Sequence, residues 1–120
     1  MLPKANRLRS DASFQRVYQY KKSLANRYLV CYQYPRADEG PTRIGFSISK
    51  RVGKAHTRNY LKRVLGEVSR LHFDHIPRGY DIIIIVRQPA AQLAYDGLEK
   101  NYLSLLKKGG LYDAPSKSGS

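Results

Sequence analysis

The run from Tyr80 to Val86, YDIIIIV, constrains this chain more than any other seven residues. Four consecutive isoleucines followed by a valine cannot alternate between core and solvent, so a strand there must be buried on both faces of a sheet. Ile82 to Val86 is also the longest purely aliphatic run, and five residues fall far short of the roughly 20 that a membrane-spanning helix needs. An α+β arrangement with helices packed on a small sheet satisfies that strand.

The flanking segments supply the other elements. Ser10 is placed to cap a helix whose first turn holds Asp11, and Phe14, Val17 and Tyr18 recur at helical spacing as far as Lys21-Lys22. From Tyr28 to Tyr34 the period becomes two: Tyr28, Val30, Tyr32 and Tyr34 share one face of a strand, with Leu29, Cys31 and Gln33 on the other. Pro35 to Thr42, with Asp38, Glu39, Gly40 and Pro41, reads as a loop between antiparallel neighbours. Arg43 to Ser49 alternates again, setting Ile44, Phe46 and Ile48 against Arg43, Gly45, Ser47 and Ser49.

After Gly53 the pattern turns helical, and Leu61, Val64, Leu65, Val68 and Leu71 fall within one arc of a helix over 55–71. A last helix is expected from Tyr95 to Lys108, with Leu98, Tyr102 and Leu105 spaced for burial and Gly109 placed to end it. The expected order is therefore α-β-β-α-β-α, a single-domain α/β sandwich over residues 1–108 followed by a disordered tail, 109–120.

Charge narrows the partner. The net charge is +13, from 22 Lys and Arg against 9 Asp and Glu, which makes a polyanion the default ligand. The cations concentrate in KRVGKAHTRNYLKR, residues 50–63, where Lys50, Arg51, Lys54, Arg58, Lys62 and Arg63 stand without one acid. On a wheel with Arg58 at zero, Lys62 lies near 40°, Asn59 near 100° and Arg63 near 140°, while the apolar residues occupy roughly 220–340°. These cations project away from the core, beside the N–H groups of the helix start, as a phosphate-binding ridge. The plainer alternative is a solvated face with Arg63, Glu67 and Arg70 as routine pairs. It suits Arg63 and Arg70 singly better than the group, because Glu67 is the only acid from Gly45 to Leu71. His56 reads as a polar neighbour of the ridge, with no metal role.

A second feature calls for unpaired bases. Phe14 and Tyr18 on the first helix, with Tyr28, Tyr32 and Tyr34 on the first strand, can line a shallow stacking groove, since tyrosines tolerate a half-wet position that a core phenylalanine does not need. Catalytic constellations are missing. His72, Asp74 and His75 form the only dense grouping of metal-ligand types, in a loop, and Gly53-Lys54 lacks the upstream glycine and following hydroxyl of a phosphate loop. No nucleophile elbow or dinucleotide fingerprint occurs. The lone Cys31 excludes an internal disulfide and reads as a buried thiol, and MLPKANRLRS carries no apolar stretch of a secretory signal, which points to the cytoplasm.

GFSISKRVGKAHTRNYLKR, residues 45–63, resembles the signature of the bacterial ribonuclease P protein family: a strand ending in S-K-K/R, a glycine, then R-N-x-x-K-R on a helix. The likeness extends to NRLRSDASFQRVY, ANRYLVCYQY and GYDIIIIVRQPA, so that it covers roughly residues 6–108. Tyr60 and Gly66-Glu67 depart from it, standing where the family often has a further basic residue and an Arg-Glu pair.

The resemblance implies a subunit of a ribonucleoprotein endonuclease whose catalytic RNA cleaves the 5′ leader from precursor tRNA by Mg²⁺-assisted hydrolysis. The RNA would hold the Mg²⁺, and this chain would carry no active site and bind no metal tightly. Lys50, Arg51, Lys54, Arg58, Asn59, Lys62 and Arg63 would dock on the catalytic RNA, while Phe14, Tyr18, Tyr32, Arg43 and Ser47 would hold the single-stranded leader. The family's left-handed β-α-β crossover is implied too, against the usual handedness. Partners would be the two RNAs, with no membrane and no obligate protein partner. A ribosomal or ribosome-assembly protein is the rival reading; a nucleoid DNA binder is more distant, because no zipper or helix-turn-helix pattern is visible.

Overall fold

The computed structural model describes residues 2–113. It contains three α-helices, α1 (Asp11–Tyr20), α2 (Ala55–Leu71) and α3 (Tyr95–Lys108), and four strands, β1 (Ser23–Ala25), β2 (Leu29–Pro35), β3 (Arg43–Ser47) and β4 (Tyr80–Val86). The helix limits match the sequence pattern closely. The Ser10 hydroxyl caps α1 by accepting from the Ser13 N–H at 3.1 Å, and α1 stops where Lys21 turns left-handed at φ 61°.

The strands form one sheet in the order β1-β2-β4-β3. The isoleucine strand thus occupies the interior, pairing antiparallel with β2 from Leu29↔Val86 to Pro35↔Tyr80 and parallel with β3 from Arg43↔Asp81 to Ser47↔Ile85. This corrects the expectation that β2 and β3 are neighbours: they run antiparallel, but β4 is inserted between them. The continuous aliphatic strand gains most from the position with a strand on each side, where burying one isoleucine side chain is worth about 1.5–3 kcal/mol. β3 and β4, being parallel, are joined through α2 as a β-α-β unit. β1 was not anticipated, because its three residues are all exposed and carry no periodic signal.

One face of the sheet is sealed. Leu29, Cys31, Ile44, Ile82, Ile84 and Val86 pack with Leu61, Leu65 and Val68 of α2 and Leu98, Tyr102 and Leu105 of α3. Tyr102 is fully buried and its hydroxyl shares a 2.7 Å hydrogen bond with Ser69, so the one polar atom of that ring is satisfied. On the opposite face α1 and the segment just before it pack, and Leu8, Val17 and Ile83 make a smaller core flanked by Phe14, Tyr18, Tyr32, Tyr34 and Ile85.

The start of the expected tail belongs to the fold. Gly109 accepts from the Gln33 amide at 3.3 Å, the Leu111 N–H donates to Leu106 at 2.8 Å, and Leu111 is fully buried. Asp113 donates its N–H to His75. An apolar side chain two residues beyond Gly109 anchors this stretch on the core; residues 114–120 of the expected tail lie outside the described residues.

Candidate nucleic-acid interface

The ridge begins where β3 ends. A 3₁₀ turn, Lys50–Val52, and Gly53 lead into α2, whose N-cap Lys54 offers no side-chain acceptor to the first N–H groups. Lys50, Arg51, Lys54, Asn59, Lys62 and Arg63 are exposed, and Arg58 is half-buried with its Nε donating to the Gly53 carbonyl at 3.1 Å. The wheel is realised: Leu61, Val64, Leu65 and Val68 are buried beneath them.

None of these six cations forms an ion pair among the described residues. Glu67 pairs with Arg70, Nε to Oε1 at 3.0 Å, and that contact holds its carboxyl down to about 2. The routine pairing thus takes Arg70, and Arg63 stays with the ridge. Cations gathered at a helix N-terminus oppose the helix dipole, so an anion from outside would stabilise the arrangement, helped by helix-start N–H groups that no side chain caps.

α1 lies across the second face as a narrow bar. Phe14 sits over β3, where a Cβ on Gly45 would stand 2.5 Å from its Cζ; only glycine permits that approach. Tyr18 meets Tyr32 of β2 edge-on, with centroids 5.0 Å apart, and Tyr20 meets Tyr34 likewise at 5.3 Å. Positions 14 and 18 are four residues apart, as are 16 and 20, so the two pairs project from opposite flanks with Val17 buried between them.

The flank of Phe14 and Tyr18 faces a cleft. Its floor is the cross-strand row Val30, Ile85 and Ser47, all half-buried, which α1 leaves partly uncovered. Burial raises the Tyr18 phenol above its ordinary value, and the neighbouring Ser47 hydroxyl acts in the opposite sense. Phe14, Tyr18, Tyr32 and Ser47 therefore come together as the sequence suggested. A hollow of about 240 Å³, lined by Phe14, Gly45, Phe46 and Lys62, places a ridge cation beside a cleft aromatic.

Arg43 and Tyr28 do not join them. Arg43 is two rows away, on the other flank of α1, where its Nε and Nη2 donate to the two oxygens of Asp81 at 2.9 and 2.8 Å. Tyr28 packs against the α2–α3 core on the opposite face. It precedes the first strand residue, and the Asn26 carboxamide, accepting from the N–H groups of Tyr28 and Leu29, breaks the alternation that would have put it beside Tyr32. Arg16 and Tyr20 are the residues that periodicity missed, although their i,i+4 spacing matches that of Phe14 and Tyr18.

Elsewhere the chemistry is structural. His72 bonds Glu99 through Nε2 at 3.0 Å and the Tyr112 hydroxyl through Nδ1 at 3.2 Å, while Asp74 is exposed. Burial pushes the Cys31 thiol up to about 12, as expected for an inert core cysteine. No helix among the described residues is long and apolar enough to cross a membrane.

Comparison with known proteins identifies relatives in sequence and in fold. The family model Ribonuclease P matches residues 2–110. A Ribonuclease P protein component from Bacillus cereus (strain AH187) is 36% identical over 110 residues, covering 92% of this chain and 96% of the relative. One from Bacillus anthracis (strain CDC 684 / NRRL 3495) is also 36% identical, covering 92% of each. Among solved structures, the RNase P protein of Staphylococcus aureus superposes with a TM-score of 0.85 at 35% identity, covering 92% of this chain and all of that one. That of Thermotoga maritima gives 0.77 at 31% identity, covering 85% and 96%. On sequence and fold alike, the chain belongs to the ribonuclease P protein family.

Proposed function

We propose that this ribonuclease P protein component, which serves tRNA 5′ processing, docks its ridge on the catalytic RNA and holds the 5′ leader of precursor tRNA in the cleft beside α1. The observation that carries the reading is the ridge itself: seven polar residues, Arg58 half-buried and the others exposed, six of them cationic and none ion-paired among the described residues. Each cation that meets a phosphate releases condensed counterions, so docking is driven by charge and weakened by salt. Aromatic rings at the cleft offer stacking surfaces to unpaired bases regardless of sequence.

The side chains on offer support a division of labour. Guanidiniums, ammoniums, an amide and aromatic rings bind RNA; hydrolysis, with the Mg²⁺ that assists it, falls to the RNA. A +13 protein set between two polyanions lowers their mutual repulsion, which raises substrate affinity and relaxes the need for Mg²⁺.

Two experiments test the assignments. Reversing Arg58 and Lys62 to Glu weakens assembly with the ribonuclease P RNA and flattens the slope of log K against log salt by about 1.4–1.8, the share of two phosphate contacts. An unchanged slope removes the ridge. Tyr18→Ala, a change worth about 1–3 kcal/mol where a base stacks, weakens the reconstituted enzyme's binding of leader-bearing precursor and spares mature tRNA. Equal losses on both remove the leader from the cleft.

A further inference from the structure

The flank of α1 that faces away from the cleft borders an open hollow of about 590 Å³, lined by Arg16, Tyr34, Arg36, Asp38 and Arg43. Three guanidiniums converge there on Asp81, which is fully buried in β4. Arg36 donates to Asp81 Oδ1 at 2.7 Å, to both Asp38 oxygens, and to the carbonyls of Tyr80 and Pro41. It is spent. Arg43 gives Nε and Nη2 to Asp81, its Nη1 has no partner among the described residues, and a third of its side chain is exposed.

Arg16 is the loosest of the three. Its side chain is 47% exposed, its Nη2 stands 3.7 Å from Asp81 Oδ2 and 3.4 Å from the Ser13 hydroxyl, and its guanidinium lies over the Tyr34 ring at 5.6 Å. Asp38, the other carboxylate at the rim, is held below its ordinary pKa first by Arg36, which engages both its oxygens. Three guanidiniums against two carboxylates leave one positive charge facing the hollow.

A buried carboxylate accounts for Arg36 and Arg43 as ties between β4, β3 and the 36–42 loop. It does not account for Arg16, a third cation brought beside two that already satisfy Asp81. An anion from outside would relieve that crowding, and the open edges of Arg16 and Arg43 are where it would sit. Two features favour RNA as its source. Tyr34 lines the hollow with Tyr20 edge-on against it, and Tyr34 follows Tyr32 of the cleft on the same face of β2, about 7 Å along the strand.

We propose that this hollow is a second RNA subsite, in which Arg16 and Arg43 hold a phosphodiester of single-stranded RNA on the flank of α1 opposite the cleft. The proposal rests on the RNA-binding reading above. The phosphodiester belongs either to the leader, continuing from Tyr32, or to the catalytic RNA, and the two sources separate in one set of measurements.

The holoenzyme is reconstituted with wild-type protein, Arg16→Ala, Arg16→Lys or Tyr18→Ala, and its affinity for precursors with short and long leaders and for mature tRNA is measured across salt. The affinity of each protein for the catalytic RNA is measured alongside. Arg16→Ala weakens RNA binding severalfold and lowers the salt slope by about 0.7, one single-strand phosphate contact, while Arg16→Lys restores the slope. A loss confined to long leaders assigns the phosphodiester to the leader; a loss in protein–RNA assembly, equal for all substrates, assigns it to the catalytic RNA. Unchanged affinity and slope in both arms overturn the proposal, whether or not thermal unfolding of Arg16→Ala shifts. If Tyr18→Ala still weakens leader binding in that case, only the hollow fails; if Tyr18→Ala is silent too, the cleft assignment fails with it.

Discussion

The two faces of the sheet are covered unequally. Against one lie α2 and α3, 17 and 14 residues long, and Leu29, Cys31, Ile44, Ile82, Ile84 and Val86 beneath them are excluded from water. Against the other lies one helix, α1, with 10 residues, beside the short segment carrying Leu8, and the row Val30–Ile85–Ser47 stays half-exposed. The closed face holds the chain together, and the ridge lies on the outer side of its helix α2. The open face gives up burial, and in exchange it offers aromatic rings and guanidiniums that a fully packed layer would hide.

Adjacent isoleucines on β4 test that contrast most directly. Ile84, fully buried on the closed face, costs about 2–5 kcal/mol when cut to Ala, because the cavity left behind cannot collapse. Ile85, half-buried on the open floor, costs less in thermal unfolding but weakens leader binding. Equal stability losses for the two would break the distinction between the faces.

Gly45→Ala sharpens it. The new Cβ meets the Phe14 ring from below, and swinging that ring aside costs about 1–3 kcal/mol. Leader affinity falls with the displaced ring, and affinity for the catalytic RNA stays at the wild-type value; a parallel loss of both would mean that cleft and ridge are not separate sites.

The remaining test is on the closed face, is silent at neutral pH and is read only in alkali. Cys31 keeps its proton in the folded chain to about pH 12, against an ordinary value of 9.0. The unfolded chain ionises first as pH rises, so the thiol's contribution is complete below 9 and is lost between 9 and 12. Cys31→Ala flattens the fall in stability over that window, as measured by denaturant unfolding at a series of pH values.

Much of this was legible locally. Helical periodicity placed α2 and α3 at the residues observed, the four isoleucines announced a doubly covered strand, and the wheel put the ridge on the solvent side of Leu61 and Leu65. What escaped depends on partners distant in sequence. Nothing in Pro35 to Thr42 tells the chain that β4, some 40 residues later, will separate β2 from β3. β1 exists through backbone pairing with β2 alone. Arg43 sits on the expected face of its strand, yet its position relative to the cleft is decided by where α1 crosses, which is set by Phe14 on Gly45 and Tyr18 on Tyr32. Tyr28 was lost to a single asparagine that ended the alternation one residue early.

The continuity of β3 into the ridge has a mechanical consequence. Ser47 closes the cleft floor and Lys50 opens the ridge, and a chain of three residues cannot stretch beyond about 11 Å. A substrate strand in one and a scaffold RNA on the other would be gauged against each other by that fixed span, as by the jaws of a caliper. Inserting even one residue between Ser47 and Lys50 would reset the gauge without altering a single contacting side chain.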